Sequence, residues 1–244
     1  MRPFAHPDAE AWHAQAAIAL ASHPHPLHMV VFDCDGVLID SEPIASRIMA
    51  EELAGIGWTL KPEDVDALFL GQSLRQMVPA IERRIDRPVP GGWIEHLRLR
   101  MLDALAREAT LVPGAKDAIA AVTAFGLKWR IASNSSHEEM AAKFSRTGMT
   151  ALVSGRVHSH RDVRAGKPAP DLYLAAPAAA GIPPARCLAI EDSPPGVQAA
   201  ISAGMQVLAL VPRGDPDRLA TLGALPIRSL SVFPDLLRVA LRRD

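Results

Sequence analysis

The sequence predicts an α/β fold: a parallel sheet flanked by helices, with a block of helices inserted after the first strand. Three observations predict it. From residue 29 onward, short apolar runs alternate with segments of helical spacing, the pattern of βαβ units. The stretch 44–111 is built of segments with helical spacing and separates the first strand from the others. Apolar residues make up 49% of the 244, ample for a core and incompatible with a largely disordered chain.

The first 28 residues stand apart. They hold five of the nine histidines (His6, His13, His23, His25 and His28), and Pro24 and Pro26 break up the segment just before Met29. Asp8, Glu10 and His13 interrupt the start, and the run 16–21 is short, which argues against a secretory signal. Residues 1–28 read as an N-terminal extension: a peripheral helix over 9–21, then a solvated linker dispensable to the core.

Met29-Val30-Val31-Phe32 reads as a buried strand that opens into the polar turn Asp33-Cys34-Asp35-Gly36. Helices follow over 44–54, 63–70 and 93–107, punctuated at Pro79 and at Pro88-Val89-Pro90-Gly91-Gly92. After Pro113-Gly114 come a helix over 115–125, a strand over 127–132, a helix over 137–147 and a short strand at Leu152-Val153. A helix over 170–180, a strand over 187–190, a helix over 195–203 and a strand over 205–211 complete the series.

Lys and Arg total 26 against 27 Asp and Glu, so no broad basic surface invites nucleic acid. No stretch approaches about 20 consecutive apolar residues, so no membrane span is expected. The two cysteines are too few for a disulfide scaffold, and a cytoplasmic location is expected.

Chemistry collects at strand ends. Asp33 and Asp35 follow the first strand, Ser133 and Asn134 the second, Glu191 and Asp192 a later one. Open parallel sheets bind ligands beyond the carboxyl ends of their strands, so these groups should share one crevice. Asp33 and Asp35, two apart on an extended end, should aim the same way, with Cys34 buried between them. Carboxylates aimed alike repel unless a cation intervenes, and a set of oxygen ligands suits Mg²⁺. Lys167, one of only five lysines against 21 arginines, sits in the stiff loop Gly166-Lys167-Pro168-Ala169-Pro170-Asp171 and offers a point cation to the carboxylates and a phosphoryl group.

These motifs, Val31-Phe32-Asp33-Cys34-Asp35-Gly36-Val37, Ile131-Ala132-Ser133-Asn134-Ser135, Gly166-Lys167-Pro168-Ala169-Pro170-Asp171 and Ile190-Glu191-Asp192-Ser193-Pro194, resemble in kind and order those of the haloacid dehalogenase-like hydrolases, over essentially all of 29–244. The chain is most similar to the β-phosphoglucomutase-like and sugar-phosphatase branch. The resemblance implies a Rossmann-like core over 29–43 and 112–244 with a helical cap over 44–111. It implies that Asp33 attacks phosphorus to form an aspartyl-phosphate, and that Asp35 protonates the leaving oxygen and then activates water. Asp33, the Asp35 carbonyl and Asp192 would hold Mg²⁺, with Glu191 assisting. Ser133, the Asn134 backbone and Lys167 would hold the phosphoryl oxygens.

The cap departs from the branch's mutases, which carry a histidine soon after the first motif and a Gly-x-Ser-Arg loop. Residues 43–49 have no histidine, and the loop here is Gly71-Gln72-Ser73-Leu74-Arg75. Both departures favour a phosphatase acting on a small phosphorylated sugar or sugar acid over a sugar phosphomutase, with Gln72, Ser73 and Arg75 as substrate contacts. A non-catalytic phosphometabolite-binding protein should lack one of Asp33, Asp35, Lys167 or Asp192, and a dehalogenase needs neither the second aspartate nor the metal acids. A monomer or weak homodimer is expected.

Four other patterns lead elsewhere. His158-Ser159-His160 lacks a third metal ligand and reads as an exposed loop. His137-Glu138-Glu139 reads as a helix start, Gly55-Ile56-Gly57 lacks the rest of a dinucleotide fingerprint, and Trp58, Trp93 and Trp129 read as packing.

Overall fold

The computed structural model describes residues 9–69 and 74–241. It divides into two compact units. Unit one takes the described residues through Ile39, Leu111–His137, and those from Ala151 onward. Unit two takes Asp40–Thr110 and Glu138–Thr150.

Unit one begins with α1 (Ala9–Ala21) and β1 (Met29–Phe32). The chain leaves it along β2 (Ile39–Asp40) and runs through α2 (Glu42–Gly55), α3 (Pro62–Phe69), α4 (Leu74–Ile85) and α5 (Trp93–Glu108). It returns at β3 (Thr110–Leu111), which pairs with β2. Then come α6 (Ala115–Ala124), β4 (Lys128–Ser133) and α7 (His137–Arg146), most of which belongs to unit two. Unit one is completed by α8 (Thr150–Val153), β5 (Val157–Ser159), α9 (Asp171–Ala178), β6 (Cys187–Glu191), α10 (Pro194–Ser202), β7 (Gln206–Leu210), α11 (Asp217–Ala220), β8 (Leu225–Ile227) and α12 (Phe233–Leu241).

The main sheet has six parallel strands in the order β5-β4-β1-β6-β7-β8. Within this sheet the next strand in sequence, β4, lies on one side of β1, and β6 lies on the other. The strand order therefore reverses at β1, the switch point beyond whose carboxyl end sheets of this kind hold their ligand crevice. Phe32 pairs with both Ile131 and Ile190, so the residues just past them arrive at that crevice together.

Side-chain alternation sets what each face receives. Met29 and Val31 of β1 and Cys187 and Ala189 of β6 pack with Leu172, Tyr173 and Val197 in one core cluster. Asp33 and Glu191 continue those two alternating rows. On the other face Phe32 meets Trp129 and Phe233 edge to face, with ring centroids 6.5 and 6.1 Å apart. Trp129 is thus core packing, and Trp58 stacks edge to face on Phe69 in unit two.

Several expectations are corrected. The helix over 9–21 is docked rather than peripheral: α1 packs on α12 and β8, with Ala16 and Leu20 buried one turn apart. Trp12 lies 4.5 Å under the Arg228 guanidinium, and Gln206 donates to the Ala19 carbonyl. Its alanine-rich surface lets it approach closely with few large apolar residues. Leu152-Val153 belongs to α8, and the strand comes later, as β5. Two apolar residues do not fix a strand, and β5 buries a serine where a pattern search wants a hydrophobe. The His158-Ser159-His160 segment is correspondingly no exposed loop: Ser159 is fully buried and the His158 ring meets Arg130. Pro79 lies inside α4 instead of marking a break. Among the described residues, no helix is long and apolar enough to cross a membrane.

Candidate active site

Asp33 is the first residue past β1. Its N–H still donates to the Ile190 carbonyl at 2.9 Å, so the ladder extends one residue and seats the carboxylate beside Glu191. The loop before α9 brings Lys167 to both acids. Its Nζ donates to Asp33 Oδ1 at 2.6 Å and to Glu191 Oε1 at 2.5 Å. All three side chains are buried, with 4%, 9% and 0% exposure for Lys167, Asp33 and Glu191.

The lysine loop is clamped by Asn134. The amide Nδ2 donates to the Lys167 carbonyl at 3.1 Å, and the Lys167 N–H donates to Asn134 Oδ1 at 2.8 Å. Its side chain therefore fixes the ammonium's approach, a task the sequence reading did not give it.

Glu191 is fully engaged. Oε1 accepts from Lys167 and from the Tyr173 hydroxyl at 2.8 Å. Oε2 accepts from the N–H groups of Asp192 and Ser193 and from the Ser193 hydroxyl, at 3.0 to 3.2 Å. Ser193 also caps α10 by accepting from the Gly196 N–H. A Cβ on Gly196 would fall 1.8 Å from Glu191 Oε1, so only glycine fits there. Gly36 makes the same kind of room: its φ is +73°, and a Cβ on it would fall 1.8 Å from Asp192 Oδ2.

Lys167 binds Asp33, whereas the serines at and just past the end of β4 bind Asp35. The strand ends at Phe32 and the chain turns tightly, with Leu38 and Ile39 both donating to the Cys34 carbonyl. Asp35 Oδ2 accepts from the Ser135 hydroxyl at 2.7 Å and, more weakly, from the Ser133 hydroxyl at 3.4 Å. Cys34 is buried, as expected.

The electrostatics are those of a site short of positive charge. Burial pushes the Asp33 carboxyl up to about 7; the Lys167 ammonium opposes this, and the Glu191 and Asp35 charges add to it. Burial works against the charged form of Lys167, but the Asp33 and Glu191 carboxylates outweigh it and hold the ammonium above its ordinary range. Burial raises the Tyr173 hydroxyl well above the usual phenol, helped by the Glu191 and Asp33 charges, so it stays a donor. Carboxylate oxygens of Asp33, Glu191 and Asp192 all lie within 4.8 Å of one another. Closely set hard oxygens with excess negative charge fit a divalent cation such as Mg²⁺.

The structure thus brings Asp33, Lys167, Glu191 and Asp192 to one cluster at the ends of β1 and β6. Ser133, Asn134 and Asp35 flank it at the end of β4. Gln72 and Ser73 lie outside the described residues, and for Arg75 only the backbone is described, in the first turn of α4. Sequence reasoning missed Tyr173. It is the chain's single tyrosine, a signal that was available, but its place among the apolar residues of α9 gives it the look of packing.

Comparison with known proteins agrees with this geometry. The haloacid dehalogenase-like hydrolase model matches residues 27–204. The chain is 29% identical over 182 residues to the 6-phosphogluconate phosphatase of Escherichia coli K12, covering 74% of this chain and 81% of that one. It is 30% identical over 191 residues to hexitol phosphatase A of the same organism, covering 78% and 85%. A solved HAD family hydrolase from Deinococcus radiodurans R1, with bound phosphate and sodium, superposes with a TM-score of 0.75 at 31% identity, covering 88% of this chain and 97% of that one. With that match spanning the crevice and the motifs that line it, the chain belongs to the haloacid dehalogenase-like hydrolases.

Proposed function

We propose that this protein is a Mg²⁺-dependent phosphatase that hydrolyses a small phosphorylated sugar or sugar acid through an aspartyl-phosphate on Asp33. One observation carries the reading: a buried ammonium, Lys167, binds Asp33 and Glu191 at once beside a third acid, Asp192. A buried ion pair alone is weak evidence of a stabilising role, and this one carries surplus negative charge. Such a cluster suits a site that receives both a cation and a phosphoryl group.

Asp33 attacks phosphorus in line as the bond to the substrate oxygen breaks. Asp35 gives that oxygen its proton, so an alcohol leaves and the phosphoryl group rests on Asp33. Asp35, now a carboxylate, takes a proton from water. The hydroxide formed attacks the same phosphorus, and inorganic phosphate and free Asp33 result. Lys167 and Ser133 bind the phosphoryl oxygens, and Asn134 holds Lys167 in place. Asp33, Asp192 and the Asp35 carbonyl would hold the metal, with Glu191 beside them as the anchor of Lys167. The bound ion would offset the repulsion between an anionic nucleophile and an anionic ester.

The relatives' names make 6-phosphogluconate and hexitol phosphates the first substrates to try. The test is phosphate release across a panel of phosphorylated sugars, sugar acids and nucleotides with Mg²⁺, run beside a sugar 1-phosphate to 6-phosphate isomerisation assay. Hydrolysis concentrated among sugar and sugar-acid phosphates is expected. Isomerisation without phosphate release would overturn the phosphatase reading.

A further inference from the structure

We propose that Ser135 is a positioning residue for the acid–base step: its hydroxyl aims the Asp35 carboxyl at the leaving oxygen. The proposal rests on the reading of Asp35 as the proton donor. The Ser135 Oγ–H donates to Asp35 Oδ2 at 2.7 Å, whereas Ser133 reaches the same oxygen only at 3.4 Å.

The backbone around Ser135 is secured without that hydroxyl. Its N–H donates to Ser133 Oγ at 3.0 Å, and its carbonyl accepts from the buried Ser159 hydroxyl at 2.7 Å. Ser159 is locked in turn by Asp162, whose Oδ2 accepts the Ser159 N–H at 2.8 Å and whose Oδ1 meets His137 Nε2 at 2.7 Å. Two strand ends thus converge on one serine: the turn after β4 supplies it, and Ser159 at the end of β5 holds it from behind. The turn keeps its backbone bonds if the hydroxyl is removed, while Asp35 loses its short one. Ser135 moves no proton itself. The proton passes from the Asp35 carboxyl to the bridging oxygen as the phosphorus–oxygen bond breaks.

The experiment compares two substrates by kcat/KM, which reports the first, aspartyl-phosphate-forming step. A sugar phosphate needs a proton on its leaving oxygen, and p-nitrophenyl phosphate does not. Ser135→Ala is expected to lose roughly tenfold or more on the sugar phosphate. It should lose about threefold or less on p-nitrophenyl phosphate, while Ser135→Thr recovers the sugar phosphate. Equal losses on both substrates, or no loss on either, would overturn the proposal. Should Ser135→Ala not fold, Ser159→Ala takes its place, with a smaller loss of the same selectivity expected and an unselective loss counting against it. Asp35→Asn, run in parallel, separates the two levels. Selectivity in Asp35→Asn but not in Ser135→Ala refutes only the role of Ser135, and its absence from Asp35→Asn refutes the reading of Asp35.

Discussion

Two charge clusters, one in each unit, hold their charges in opposite ways. In unit two, Arg47 bridges Glu51 and Glu108 at 3.1 and 2.7 Å, with all three side chains between 39% and 48% exposed. In unit one, Lys167 bridges Asp33 and Glu191 at similar distances with almost no exposure. Exposed pairs contribute about 0–1 kcal/mol, because water screens them and side-chain order costs entropy. A buried cluster meets a desolvation penalty that its attraction does not reliably offset. Distance alone does not separate the two cases. Burial does, together with a charge imbalance that leaves unit one's cluster short of a cation.

The largest expected effect is on turnover: Asp33→Asn should lower kcat by roughly 10⁴-fold or more, measured by phosphate release. Removing the cation comes next. Protein treated with chelator should melt about 5–10 °C below protein at saturating Mg²⁺. Asp192→Asn should abolish that difference, and calorimetry reads both. Deleting residues 1–22 should cost about 2 kcal/mol or more in urea unfolding, because Leu20 and Ala16 leave a buried contact. Tyr173→Phe keeps the ring but withdraws a donor from a buried carboxylate. It should cost about 1–2 kcal/mol by the same measurement and raise KM for the phosphate ester. The smallest effect belongs to unit two, where Arg47→Ala should change stability by less than about 1 kcal/mol. A larger loss there than in Tyr173→Phe would reverse the contrast.

Much of the site was legible because apolar runs that end in acids are conspicuous. Met29 to Phe32 and Cys187 to Ile190 announce strands, and Asp33, Glu191 and Asp192 stand where they stop. Strand alternation predicts that Asp33 and Asp35 aim the same way. The turn after Phe32 cancels that geometry and hands Asp35 to Ser133 and Ser135, at and just past the end of β4. Tyr173 and Ser159 escaped notice for a shared reason: each is a polar residue that fills a core position, and periodicity registers the position rather than the hydroxyl. The docking of α1 escaped notice because alanine packs well while weighing little in an apolar pattern. Gly36 and Gly196 were visible as motif letters, but the carboxylates that claim their missing Cβ atoms come from elsewhere in the fold or chain.

The most direct measurement of the central claim is a rapid-quench experiment with a phosphate-labelled sugar phosphate and Mg²⁺. Label should appear on the wild-type chain before it appears as free phosphate, should be released by hydroxylamine as an acyl phosphate is, and should be missing from Asp33→Asn. Free phosphate formed with no label passing through the protein, or label retained on Asp33→Asn, would contradict the account.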